Sequence, residues 1–108
     1  MPVDWQQVAA DTKAAVLKVL GTSWQTVSTA AGPQIEATIS IGRSIEQSYN
    51  AGRLTEVEYK SLPSMQKNAL EGILSSYEAV GIVVSEQTAD AAWNVIAQAL
   101  LKAGVAFA

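Results

Sequence analysis

Apolar and small residues recur at helical spacing through most of the chain. Trp5, Val8, Thr12, Val16, Val19, Ser23, Val27 and Ala30 follow steps of three and four, and Ala9, Leu20 and Ala31 widen that stripe. A 3-4-4 spacing repeats every 11 residues, about 3.67 per turn, which suits a nearly straight helix rather than a heptad coiled coil. Asp4 is placed to cap this first helix. Gly32-Pro33 is expected to end or kink it, because proline lacks the N–H a helix interior needs. Gly21 marks a bend or a close contact within it.

A second helix is expected over 34–49, with Ile35, Ile39, Gly42, Ile45 and Tyr49 on one face and Ile41 beside them. Asn50-Ala51-Gly52 is its stop, Gly52 suiting a left-handed position just past the end. Thr55 and Glu58 have the spacing of a capping box, with Leu54 and Tyr59 as the accompanying staple, so a short helix follows as far as Leu62-Pro63. The next helix opens at Pro63 or Ser64, carries Met65, Ala69, Leu70, Ile73, Tyr77 and Val80 inward, and closes at Gly81. Ile82-Val83-Val84 reads as a buried connector. Ser85 caps the last helix, whose inner face is Ala89, Ala92, Trp93, Ile96, Leu100, Ala103 and Phe107. The expected fold is therefore all-α: a single domain over 1–108, arranged as a helical bundle or elongated helical hairpin of four main helices plus one short helix.

Charge changes this picture at one place. Between Val19 and Ile35 there are 17 consecutive positions without a charged residue, Trp24 among them. A helix exposed on one side normally carries charge there. This segment carries Gln, Thr, Ser and Ala instead, and such a weakly polar surface is readily buried a second time. The whole chain shares the tendency: 49% of residues are apolar and 16% charged, against about 25% charged in typical soluble domains. Ten of the 17 charges fall within residues 36–78, so the middle of the chain is the solvated part.

The 108 residues carry a net charge of −3, with seven basic residues that form no run. Nucleic acid is a poor partner for such a chain, since phosphate neutralisation needs clustered Lys and Arg. Cysteine and histidine are both absent, which removes disulfides, thiolate chemistry, the common zinc sites and imidazole acid–base roles. No stretch supplies the about 20 predominantly apolar residues of a membrane span. Met1-Pro2-Val3-Asp4 lacks the basic and apolar regions of a signal peptide, so the expectation is synthesis as a soluble cytoplasmic protein.

Candidate chemistry is sparse. Ser64-Met65-Gln66-Lys67 resembles the Ser-x-x-Lys pattern of penicillin-recognising enzymes over four residues, without their Ser-Asp-Asn and Lys-Thr-Gly elements. The simpler expectation is a capping Ser64 and a Lys67–Glu71 pair one turn apart. Glu86 and Asp90 share a helix face but fall short of the six or more oxygens a calcium site takes. They read as ordinary acidic residues near a helix start. No nucleophile, base and orienting group come together, so the chain is expected not to be an enzyme, and no cofactor or metal is expected.

Trp5, Trp24 and Trp93 lie in the charge-poor ends, where tryptophan serves either as a core anchor or as an interface residue. The leading expectation is a self-associating helical protein, a structural or assembly component of a larger complex. Its partner is itself or another protein, and its interface candidates are Leu17, Leu20, Trp24, Val27, Trp93, Leu101 and Phe107. Small residues at i, i+4, such as Ala10 and Ala14 or Ala99 and Ala103, permit close helix approach. One alternative is reversible binding to a lipid or membrane surface through an amphipathic Trp-containing helix. Lys13 and Lys18 give that helix little of the basic face such binding uses. A dedicated partner-protein adaptor and a small apolar ligand held between helices are the remaining alternatives.

Overall fold

Asp4 opens the first helix by accepting the Gln7 N–H on its carboxylate, 3.2 Å away, which satisfies one of the donors a helix start leaves unpaired. In a computed structural model that describes residues 2–105, this helix, α1, spans Trp5–Leu20. It stops at Gly21, whose φ of +56° and ψ of −130° lie where a side chain is strongly disfavoured. One 3-10 turn, Gly21–Ser23, then leads into α2, Trp24–Asn50.

α2 runs back along α1. The Val3 N–H and the Trp5 indole both donate to Glu46, each at 2.8 Å, and Lys13 lies 3.3 Å from Glu36. The expected boundary at Gly32-Pro33 is therefore corrected. The reversal occurs at Gly21–Ser23, and Pro33 sits inside α2 with its ring exposed. With 27 residues at about 1.5 Å each, α2 spans nearly the whole 43 Å long axis of the molecule.

Gly52 ends α2 as the sequence indicates. Its φ is +70°, the Arg53 N–H bonds the Ser48 carbonyl at 2.8 Å, and the Gly52 N–H bonds Tyr49 at 3.0 Å. These are the paired hydrogen bonds of a Schellman ending. The capping box is also present: Glu58 N–H donates to the Thr55 hydroxyl and Thr55 N–H to the Glu58 carboxylate, both at 3.2 Å. The helix it starts does not stop at Leu62-Pro63. It widens into a π-turn, Val57–Ser61, and passes directly into α3, Leu62–Ser75. Pro63, which has no N–H to give, is buried in the first turn of α3.

A short turn leads to α4, Gly81–Lys102, which begins earlier than expected. Ile82, Val83 and Val84 form its first turn instead of a buried connector, and the Ser85 hydroxyl donates to the Gly81 carbonyl at 2.6 Å instead of capping. It also ends earlier. The Val105 N–H bonds the Leu100 carbonyl and the Gly104 N–H bonds Leu101, each at 3.0 Å, which closes the helix ahead of Phe107. Phe107 itself lies outside the described residues.

The described chain is all-helical and compact. Helical segments, counting the 3-10 and π turns, fall into three runs, 5–50, 56–75 and 81–102, the first reversing at Gly21–Ser23. The expected division into four main helices and a separate short one does not hold. Gln34 bonds Gln66 at 2.7 Å and Lys67 meets Asp90 at 2.8 Å, so α2, α3 and α4 lie alternately antiparallel, and α1 packs most extensively on α4. Val16, Val27, Ile35, Ile45, Leu70, Leu74 and Ile96 fill the centre, each at most 1% exposed. Burial of a side chain of this kind contributes roughly 1.5–3 kcal/mol.

Candidate functional site

Four hydroxyl residues enter the core: Thr12, Thr38, Ser85 and Thr88. Each donates to the carbonyl four residues earlier, at 2.6 to 2.9 Å. A buried hydroxyl used in this way is satisfied by its own helix. Among the described residues, no buried side-chain polar atom is left without a partner.

The Ser-x-x-Lys segment separates in space. The Ser64 hydroxyl donates to the Lys60 carbonyl at 3.1 Å, and the Lys67 ammonium lies 2.8 Å from Asp90 on α4. The expected Lys67–Glu71 pair is replaced by this cross-helix pair, which also occupies one of the two carboxylates on the α4 face. Among the described residues, no three acidic side chains come together as a metal-binding group.

The Glu58 carboxyl is held below its ordinary value near 4.5. The cause is first the Ser48 hydroxyl, which donates to it at 2.6 Å, and then the Thr55 N–H. Both bonds favour the charged form. Their role is to tie the end of α2 to the start of the next helical run.

The interface candidates divide. Leu20 and Val27 are buried, at 6% and 0% exposure, and belong to the core. Leu20 continues the buried four-residue spacing of Val8, Thr12 and Val16 on α1, and Val19 beside it is half-buried. Trp24 and Trp93 are half-buried against the core. Leu17 and Leu101 are exposed. Leu17 and Trp24 lie towards the end of the molecule that carries the Gly21–Ser23 turn, whereas Leu101 lies at the opposite end. The six candidates among the described residues therefore do not form one patch.

The sequence reading missed the two most exposed large apolar side chains. Ile82 is 70% and Val83 66% exposed, both in the first turn of α4. Because the helices alternate in direction, that turn sits at the same end as Gly21–Ser23. Much of the uncharged segment is also exposed there, including Thr22, Gln25, Thr26 and Thr29. A β-branched pair next to a glycine was the available signal, since a helix starting at Gly81 need not bury its first turn. At the opposite end Val57, Met65 and Leu101 are more than half exposed, and Met65 leaves the inner stripe assigned to it.

Two concavities accompany these surfaces. An open groove of about 620 Å³ runs between the first half of α1 and the last half of α4, bordered by Val3, Val8, Val95 and Ala99, with Asp4, Asp11 and Lys102 along its rim. A smaller apolar cavity lies by Tyr59 and Trp93. No helix among the described residues is long and apolar enough to cross a membrane. Comparison with family models, with curated proteins and with solved structures yields no match.

Proposed function

We propose that this chain is a non-enzymatic, self-associating helical protein that acts as a structural or assembly component of a larger complex. The observation that carries the reading is the exposure of Ile82 and Val83, 70% and 66%, at the end of the molecule where the uncharged turn also lies. Adjacent apolar side chains exposed in this way favour burial against a partner. A second copy of the chain offers the same surface, and two-fold pairing of like with like is the commonest way such a patch is covered.

The test is the native mass of the full-length protein by light scattering coupled to size exclusion, for wild type and for the Ile82→Glu/Val83→Glu double variant. Both positions are exposed, so the substitutions leave the core intact. The expected result is a wild-type mass well above 11.4 kDa that falls to the monomer value in the variant. A wild type that is monomeric across the accessible concentration range overturns the reading. A mass unchanged by the double variant overturns the assignment of this end as the contact. Trp24→Glu is the less informative variant, because Trp24 packs partly on the core.

A further inference from the structure

The reversal between α1 and α2 depends on one residue. Leu20 (φ −80°, ψ −29°), Ser23 (φ −62°, ψ −21°) and Trp24 (φ −54°, ψ −39°) all have right-handed helical backbone, and Thr22 lies in the 3-10 turn. Gly21 alone departs, at φ +56° and ψ −130°. Glycine adopts positive and negative φ about equally readily. Returning Gly21 to helical angles joins α1 and α2 into one helix over 5–50. The buried positions survive that change. Val8, Thr12, Val16 and Leu20 are the inner positions of α1, and Val27, Ala31 and Ile35 continue them on α2. Leu20 and Val27 lie about two helical turns apart in the sequence. Both sets therefore fall on one face of the straightened helix.

We propose that two copies of this chain associate by exchanging α1 about Gly21, giving a domain-swapped dimer with a continuous 5–50 helix in each copy. This specifies how the self-association proposed above occurs, and rests on it. α1 packs more extensively on α4 than on α2, its neighbour in the chain. A detached α1 therefore needs an α4 surface, and an opened second copy offers an identical one. The contacts α1 makes within the closed chain are then remade between copies, including Trp5 and Val3 on Glu46 and Lys13 against Glu36. The closed and exchanged states differ at the hinge, at the new surface between the two lobes, and in the freedom lost on association. Exchange of an identical element is a low-cost route to dimers, and short hinges invite it. The new surface forms where the Gly21 ends of the two lobes face each other. Ile82 and Val83, exposed in the closed chain, meet their counterparts there, with Thr22, Gln25, Thr26 and Thr29 around them. Burial of that apolar pair is what the dimer gains over two closed chains.

The experiment refolds an equimolar mixture of carbon-13-labelled and unlabelled full-length chains, for wild type and for Gly21→Ala, and isolates the dimer by size exclusion. Ile96 Cγ2 and Trp5 Cη2 lie 2.6 and 2.9 Å from the position a Cβ on Gly42 would take. The two side chains are thus neighbours and give a nuclear Overhauser effect. The expected result is an effect between a labelled Ile96 methyl and an unlabelled Trp5 ring, which exchange of α1 between copies produces. Alanine at position 21 is strained in the hairpin and favoured in the continuous helix, so the dimer dissociation constant is expected to fall at least about tenfold. In dilute solution, where the closed chain prevails, the same substitution is destabilising. A dimer whose Trp5–Ile96 contact stays within each copy overturns the exchange and leaves self-association standing. A wild type that stays monomeric overturns both, whether or not Gly21→Ala dimerises. An unchanged dissociation constant in folded Gly21→Ala overturns Gly21 as the hinge. If Gly21→Ala does not fold, the wild-type dimer decides alone.

Discussion

The indole N–H of Trp5 donates to the Glu46 carboxylate at 2.8 Å, and the other oxygen of the same carboxylate accepts the Val3 N–H at 2.8 Å. One side chain on α2 thus holds the entry to α1 through two donors. Hydrogen bonds to a charged acceptor are worth about 1.5–3 kcal/mol in favourable settings. Water reaches this half-buried site, so the lower part of that range applies. Glu46→Ala is expected to cost about 1–2 kcal/mol, read as a lowered urea midpoint at unchanged slope. Trp5→Phe keeps the Val3 bond and should cost less through hydrogen bonding, although it also trims packing around Gly42. A Glu46→Ala protein with the wild-type midpoint would mean that the contact contributes nothing to the hairpin.

Gly42 and Gly72 should respond to alanine with opposite signs. Both lie within helices, where alanine is the better former by about 1 kcal/mol. A Cβ on Gly42 would fall 2.6 Å from Ile96 Cγ2 and 2.9 Å from Trp5 Cη2, whereas one on Gly72 meets nothing within 4 Å. Overpacking in a closed core costs typically about 1–3 kcal/mol, which outweighs the propensity gain at Gly42. Gly42→Ala is expected to lower the thermal midpoint and Gly72→Ala to raise it. Equal behaviour of the two variants would contradict the close approach of Trp5, α2 and α4.

What was legible in the chain follows the range of the interactions involved. The Thr55–Glu58 box and the Gly52 ending are closed by residues within a turn of each other, so their residue types suffice to reveal them. The inner face of α4 was legible because Ala89, Ala92, Ile96 and Leu100 hold one period without interruption. The hairpin reversal was not, because Gly32-Pro33 is locally the stronger breaker. Gly21 prevails only because reversing there brings Ile35, Ile39 and Ile45 into the core and Glu46 to Trp5. Lys67 was assigned to Glu71 for a similar reason: Asp90 becomes its neighbour only once α3 and α4 pack together. Ile82 and Val83 misled because a β-branched run usually signals burial. The candidate surface was accordingly legible in its neutral character and misplaced in its residues.

Acid should weaken the junction between α2 and the helical run that follows it. The Glu58 carboxyl is lowered from its ordinary value near 4.5, first by the Ser48 hydroxyl and then by the Thr55 N–H. A carboxyl depressed in the folded state adds stability above its unfolded value, and that contribution is lost as pH falls through the folded one. Stability is therefore expected to decline below about pH 4.5. Ser48→Ala removes the largest cause. Its expected signature is an upward move of the Glu58 titration, followed by carboxyl carbon NMR, with a smaller loss of stability on acidification. An unmoved titration in Ser48→Ala would show that the 2.6 Å contact does not set the carboxyl.

The position of the hairpin turn can be tested with two substitutions whose signs depend on where the first helix ends. With the turn at Gly21–Ser23, Gly21→Ala forces a side chain into φ +56°, ψ −130°, a strain of about 1–3 kcal/mol. In the same structure Pro33 interrupts α2, leaving the Thr29 carbonyl without its helical N–H donor. Pro33→Ala restores that donor, and alanine is favoured over proline in a helix interior by about 3 kcal/mol. Part of this is offset by the greater freedom alanine gives the unfolded chain. Gly21→Ala should therefore lower the urea midpoint and Pro33→Ala raise it. Were the first helix continuous to Gly32, Gly21→Ala would remove a mid-helix glycine and stabilise, while Pro33→Ala would remove a residue suited to a helix start and gain nothing. The two arrangements thus give opposite results for Gly21→Ala, and denaturation of that single variant decides between them.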